Sequence, residues 1–173
     1  NIRDFENQAE PNGTRIFNEM ALRYNLKQPW GFVVPEVSVR SLNNFYDQDT
    51  VENANFRSNS EDKSVVVPQF TLDTGLTFER EGKYLQTLSP RAFYAYAPHQ
   101  NQDDYPNFDS TAASLNYDQL FNPKRFYGHD RLEDNNFLSL GLSYSLFGTT
   151  GLEKLRTSIG QSFYFDDRKV TLN

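Results

Sequence analysis

The chain has 173 residues, a formal net charge of -6 at pH 7 and no cysteine, so it could form one ordinary domain and carries neither a disulfide nor thiolate chemistry. The acidic balance argues against nucleic acid as a partner, and no stretch approaches the roughly 20 apolar residues of a membrane helix. Aromatic residues make up 15% of the sequence against a hydrophobic total of only 37%. That balance fits a thin apolar band edged by Tyr and Phe, or a soluble β-sandwich with an aromatic core.

The chain begins at Asn1 and its only Met is Met20, as in an excerpt of a longer protein whose targeting segment is out of view. Asn1 to Phe5 could be the end of a strand, and Gln8 to Gly13 is a turn cluster. From Thr14 to Leu26 the apolar residues Ile16, Met20, Leu22, Tyr24 and Leu26 fall on even positions, opposite Arg15, Glu19, Arg23 and Asn25. A period of two puts successive side chains on opposite faces of a strand. Lys27 to Gly31 is a tight turn carrying Trp30, and Phe32 to Tyr46 follows with Val33, Pro35, Val37 and Val39 opposite Glu36, Ser38 and Arg40. Asp47 to Lys63 is polar, without period, and reads as loop.

Val66 to Arg80 sets Val66, Pro68, Phe70, Leu72, Leu76 and Phe78 against Gln69, Thr71, Asp73, Thr77 and Glu79. A short turn at Glu81 to Lys83 leads to Tyr84 to Pro98, where Leu88, Pro90, Ala92, Tyr94 and Tyr96 stand opposite Thr87, Ser89 and Arg91. Pro35 and Pro68 suit strand starts, whereas Pro90 calls for a bulge, because proline has no ladder donor. His99 to Asn136 is a second long polar segment, with a weak alternating patch around Ala113, Leu115 and Tyr117 that reads as a short strand or helix. The run from Phe137 to Phe165 is a hairpin around Gly148 and Gly151. Its first arm alternates Leu138, Leu140, Leu142, Tyr144 and Leu146 with Ser139, Gly141, Ser143 and Ser145; its second sets Leu155, Ile159, Phe163 and Phe165 against Arg156, Ser158, Gly160 and Ser162.

Connections alternate in length along this series: short at Lys27, Glu81 and Gly148, long at Asp47 and His99. Antiparallel strands then carry every tight turn on one side and every long loop on the other, the asymmetry of outer-membrane barrels. The strands run about 11 to 15 residues by pattern, beyond the usual five or six of soluble sheets. The expected fold class is therefore all-β: a multi-strand segment of the wall of an antiparallel transmembrane β-barrel, with short periplasmic turns and long extracellular loops. On that reading Val66, Phe70, Leu72, Leu76, Leu138, Leu140 and Leu142 face lipid, and Asp73, Glu79, Arg91 and Arg156 line a polar lumen. The small polar groups of Phe137 to Phe147, Ser139 among them, face the same wet interior.

Candidates for catalysis are thin, and no enzyme, cofactor or metal is expected. His99 and His129 are the only histidines, each in a polar loop. The acidic groups Asp103, Asp104 and Asp109, and Asp130, Glu133 and Asp134, lack EF-hand spacing and read as solvated loop. Asp130, Arg131, Glu133 and Asp134 form a loop charge cluster more suited to pinning the loop than to binding substrate.

The segment YDQLF, then RFYGHDRLEDNN, LGLSYSLF and GLEKLRTSIGQSFYF, resembles the β-barrel domain of the LptD family of LPS-assembly outer-membrane proteins. That family carries a similar series: Y-x-x-LF, R-F-x-G-x-DR-[IL]-x-D-x-N, an alternating strand, then LR-x-SIGQ-x-YYF. PQFTLDTGLTFERE and LQTLSPRAFYAYAPHQNQ resemble the same family's hairpin, with Ser89 where the family commonly has Glu. PWGFVVPEV also has the family's look, and the resemblance runs from about Gln28 to Leu172. It implies that residues 1–173 are part of an outer-membrane barrel domain, without the N-terminal periplasmic domain or the closing strands. It further implies a place in the bacterial outer membrane and a role in placing lipopolysaccharide in the outer leaflet. The implied partners are lipopolysaccharide, a lipoprotein plug in the lumen, periplasmic bridge proteins acting through a domain absent here, and outer-membrane lipid. The family's lateral gate and disulfides lie elsewhere, so no such residue is assigned. A passive porin and a soluble carbohydrate-binding β-sandwich are the competing readings.

Overall fold

The computed structural model describes residues 2–5, 13–46, 63–101, 111–112, 116–127, 132–167 and 169–170. Alternating apolar and polar side chains produce long strands wherever the pattern is sustained. In chain order these are β1 (Ile2–Phe5), β2 (Gly13–Arg23), β3 (Leu26–Gln28), β4 (Gly31–Tyr46), β5 (Lys63–Leu76), β6 (Phe78–Arg80) and β7 (Leu85–Ala97). The short β8 (Thr111–Ala112) and β9 (Phe126–Tyr127) flank a 3-10 turn at Asp118–Phe121, and β10 (Asn135–Phe147) and β11 (Glu153–Tyr164) close the series. Among the described residues no helix is long and apolar enough to cross a membrane.

The strands form one antiparallel meander in the order β1-β2-β4-β5-β7-β10-β11, with β3 on β4 and β6 on β7; β8 and β9 pair apart from it. Sequence neighbours are therefore sheet neighbours, as tight turns require. In the hairpin between β10 and β11, Gly151 adopts φ +80, a left-handed conformation that favours glycine. The turn is clasped by Gly148 N–H donating to the Leu152 carbonyl at 2.7 Å. At the turn between β3 and β4, the Trp30 carbonyl accepts from Thr77 N–H at 2.8 Å and so joins β5 to its neighbour's turn.

Register fixes the faces. One cross-strand row runs Pro35, Leu72, Tyr94, Leu138, Phe163, and the next runs Val33, Thr74, Ala92, Leu140, Gln161. These belong to an exposed apolar face on which Met20 is 79% and Leu22 80% accessible. The opposite face carries the rows Val34, Asp73, Phe93, Ser139, Ser162 and Gly75, Arg91, Gly141, Gly160.

The prolines sit inside strands rather than where the sequence pattern suggests. Pro35 lies within β4, and opposite it the ladder lapses at Tyr24 and Asn25, splitting β2 from β3 without a change of register. Its carbonyl still accepts from Tyr24 N–H at 3.0 Å; the missing half is the donor that proline lacks. Pro90 lies within β7 and needs no bulge. The pairing with β10 runs through it, while the ladder on the other side lapses at Leu76 and Thr77 and separates β5 from β6 in the same register. Pro68 pairs with Val39 inside β5, and the ladder to β7 starts only beyond it, at Phe70.

The core does not lie between two sheets. It consists of two apolar clusters on the charged face, built where the segment after β7 folds back across the strands. Phe17, Leu42, Val65, Val67, Ala97 and Leu132 form one. Phe93, Ala95, Phe121 and Phe137 form the other, with Tyr117 and Leu120 packed against it.

Candidate functional site on the charged face

Three arrangements define this face. The first is a seat of small residues on β10 and β11 that holds the 3-10 turn. A Cβ built on Gly141 would stand 2.4 Å from Phe121 Cζ and 2.7 Å from the Tyr117 hydroxyl; one on Gly160 would stand 2.6 Å from Leu120 Cδ1. Ser143 Oγ donates to Tyr117 Oη at 3.0 Å, and Tyr117 and Phe121 meet edge to face with centroids 5.2 Å apart. Ser139, expected to face a wet interior, has no accessible surface and shares a 2.6 Å hydrogen bond with Ser162. The physical reason is the returning segment, which covers the small side chains that sequence pattern alone exposes.

The second arrangement pins that segment. Arg40 of β4 donates from Nη1 to Glu133 Oε2 at 2.6 Å and from Nη2 to the Glu133 carbonyl at 3.3 Å, with side-chain accessibilities of 3% and 4%. Asp134 accepts from Arg125 Nη2 at 2.7 Å and from the Lys169 and Val170 amides, so it ties the loop to the segment after β11. Asn135 Nδ2 donates to the Pro123 carbonyl at 3.0 Å, and Lys124 reaches Glu19 of β2 at 3.3 Å. Of the expected loop cluster, Glu133 and Asp134 thus point to different partners, while Asp130 and Arg131 lie outside the described residues.

The third is a cavity of about 600 Å³, lined by Glu19, Arg23, Lys27, Glu36, Asp73, Arg91 and Lys124 among others. Arg91 and Asp73 close one wall with a forked pair, Nε to Oδ1 at 2.9 Å and Nη2 to Oδ2 at 2.7 Å. The same guanidinium lies 4.2 Å from the Phe121 ring centroid. Arginine can do both at once because its planar fork hydrogen-bonds at the edge and stacks on its face. The charges of the recess pair among themselves, Arg23 with Glu36, Arg91 with Asp73 and Lys124 with Glu19.

The candidate residues from the sequence divide by register. Asp73, Glu79, Arg91 and Arg156 share the charged face through the rows just given and through Glu79–Thr87–Ser145–Arg156. Only Asp73 and Arg91 meet; Arg156 pairs with Glu153 in an exposed contact, and Glu79 is exposed near the tight turn. Val66, Phe70, Leu72, Leu76, Leu138, Leu140 and Leu142 all stand on the other face. Periodicity did not single out Arg40, Tyr117 or Phe121 for any role. For Tyr117 and Phe121 the signal was the glycine and serine track opposite the leucines of β10, which leaves room for a guest; Arg40 had none.

Among the described residues, no group of three or more His, Cys, Asp or Glu is placed to hold a metal ion. His99 is exposed at the end of β7; His129, Asp103, Asp104 and Asp109 lie outside the described residues.

A long-stranded antiparallel meander, apolar on one face and charged on the other, is the wall of an outer-membrane type of β-barrel. The chain belongs to the LptD family: the family model for LPS transport system D matches residues 1–173. It is 68% identical to the LPS-assembly protein LptD of Acinetobacter baylyi, over all of this chain and 21% of that protein. It is 70% identical to the protein of the same name from Acinetobacter baumannii, over 96% of this chain and 20% of that protein. The Psychrobacter cryohalolentis LPS-assembly protein LptD is 36% identical over 98% of this chain and 18% of its own length. The chain thus spans about a fifth of the length of the relatives it matches, whose names describe assembly of a lipid and not an enzymatic reaction.

Proposed function

We propose that this chain is a stretch of barrel wall in a bacterial outer-membrane protein that assembles lipopolysaccharide into the outer leaflet. Lipopolysaccharide has a charged saccharide head and acyl tails, so its two parts need different surroundings along one path. The observation that carries the reading is the division of each long strand into an apolar and a charged face. The apolar face, with Val66, Phe70, Leu72, Leu76, Leu138, Leu140 and Leu142, stands against bilayer hydrocarbon. The charged face, with Asp73, Glu79, Arg91 and Arg156, lines a hydrophilic lumen shared by the saccharide and a lipoprotein plug. Glu133 and Asp134 hold the loop across that lumen rather than touching substrate.

Among the described residues the sheet path ends on β1 and β11, each bonded on one side. Open edges are not tolerated in hydrocarbon, which supports residues 1–173 as part of a barrel domain completed by further strands. Periplasmic bridge proteins deliver the lipid through a domain outside this chain. The test is depletion of the full-length protein with pulse labelling of surface lipopolysaccharide. New lipopolysaccharide should stop reaching the surface, phospholipid should fill the outer leaflet, and large apolar antibiotics should enter more readily. Undisturbed surface delivery together with slower uptake of small polar solutes would instead establish a passive porin.

A further inference from the structure

A cavity of about 680 Å³ opens on the apolar face midway along β7 and β10. Thr74 and Ala92 stand in one cross-strand row between Val33 and Leu140, so short side chains leave a dip where their neighbours are bulky. Pro90 borders it at the point where the β5–β6 ladder lapses. Leu76, Leu142 and Phe163 form its apolar sides, each at least 40% accessible.

A second feature lies at the tight-turn end of the same strands. The Lys83 ammonium is 5.8 Å and the Lys154 ammonium 5.1 Å from the centroid of the Tyr84 ring. Among the described residues neither lysine meets a carboxylate. Two ammonium groups on one ring at the end of an apolar surface match a phosphate headgroup, since basic pockets at the membrane boundary bind lipid phosphates and aromatic residues mark that boundary.

The two features are one lipid apart. Ala92 is eight residues from Tyr84, or roughly 26 Å along a strand. At the roughly 45° tilt of membrane strands this is about 19 Å in depth, close to half of the roughly 40–45 Å bilayer with its headgroups, as a span from phosphate to chain end requires. We propose that one phosphoglyceride of the leaflet on the tight-turn side binds here, its phosphate between Lys83 and Lys154 and the end of one acyl chain in the dip at Ala92. The inference rests on the reading that the apolar face meets lipid.

The test uses the full-length protein in nanodiscs containing phosphatidylglycerol with a diazirine near the end of one acyl chain. Irradiation and mass spectrometry then map the labelled residues. Label should concentrate several-fold on the β7 and β10 segments around Ala92 relative to Val37 and Val39 on the same face. Ala92→Phe, which fills the dip, and the double change Lys83→Ala with Lys154→Ala should each remove that excess and leave the label at Val37 unchanged. Even labelling across the face, or an excess indifferent to the lysines, overturns the site. Absence of label from the whole face, Val37 included, would instead sink the lipid-facing orientation on which it rests.

Discussion

Gly141→Ala is the sharpest perturbation of the loop seat. The new methyl would sit 2.4 Å from Phe121 Cζ and 2.7 Å from the Tyr117 hydroxyl, so both rings must retreat by about 1 Å to reach ordinary contact. Overpacking of this kind costs about 1–3 kcal/mol. Loss of the Ser143–Tyr117 hydrogen bond adds ~0.5–1.5 kcal/mol, while the gain of Ala over Gly in a strand returns ~0.5–1 kcal/mol. The net penalty on the docked turn is about 1–3 kcal/mol. Hydrogen exchange in the full-length protein reads it at the Leu120 and Asn122 amides, which bond to the Tyr117 and Gln119 carbonyls. Exchange there should accelerate by about fivefold to over a hundredfold, while amides in the β7–β10 ladder keep their protection. Gly160→Ala should do less, because its nearest neighbour is the mobile tip of Leu120. Gly82→Ala, which meets only the Tyr84 carbonyl at 3.8 Å, is the neutral reference. If Gly141→Ala exchanges like Gly82→Ala, the seat does not hold the turn.

Glu133→Ala should cost ~3–5 kcal/mol of loop docking by stranding the buried Arg40, measured as faster exchange at Leu132–Asn135; the pair Arg40→Met with Glu133→Leu should restore most of it. Leu140→Arg should lower the amount of assembled full-length barrel in membranes, by about 2–4 kcal/mol if the site is near the midplane. Ser139→Arg should fail as well, through crowding against Ser162 and the loop rather than through lipid, so loop exchange rises only for the Ser139 variant. Arg156→Ala should change stability by no more than about 1 kcal/mol, because its pair with Glu153 is exposed at 65% and 34%. The 173-residue chain expressed alone should pellet without detergent; a soluble, sharply melting monomer would remove the membrane reading.

The strands were legible because a buried or lipid-covered face imposes a period of two, and Leu138 through Leu146 keep it without error. The faces followed, since register cannot slip by one residue without inverting both. The loop's return was not legible. Tyr117, Leu120 and Phe121 stand at i, i+3 and i+4, but a single turn of that spacing does not say what it docks on, and Gly141 and Ser139 look like solvated positions until something is known to lie on them. Arg40 and Glu133 are 93 residues apart, and no local pattern pairs charges at that distance. Pro90 misled because the sequence shows only one strand at a time. Inside the sheet its missing donor faces the β5–β6 side alone, so a one-sided lapse replaces a bulge.

Those interior prolines also matter before any sheet exists. Val65, Val66 and Val67 run directly into Pro68, and Phe32, Val33 and Val34 into Pro35. Such runs are the kind from which newly made chains stack on one another, since β-prone segments of about six residues without proline seed cross-strand aggregates. Each proline interrupts its run and withholds the N–H that a second chain would need to continue the ladder. In the finished wall the cost at Pro35 is one lapse beside a strand already bonded on its other edge, and Pro68 interrupts no ladder, since pairing with β7 begins beyond it. A chain that must stay unassembled until it reaches a membrane carries, in these positions, its own brake on premature pairing.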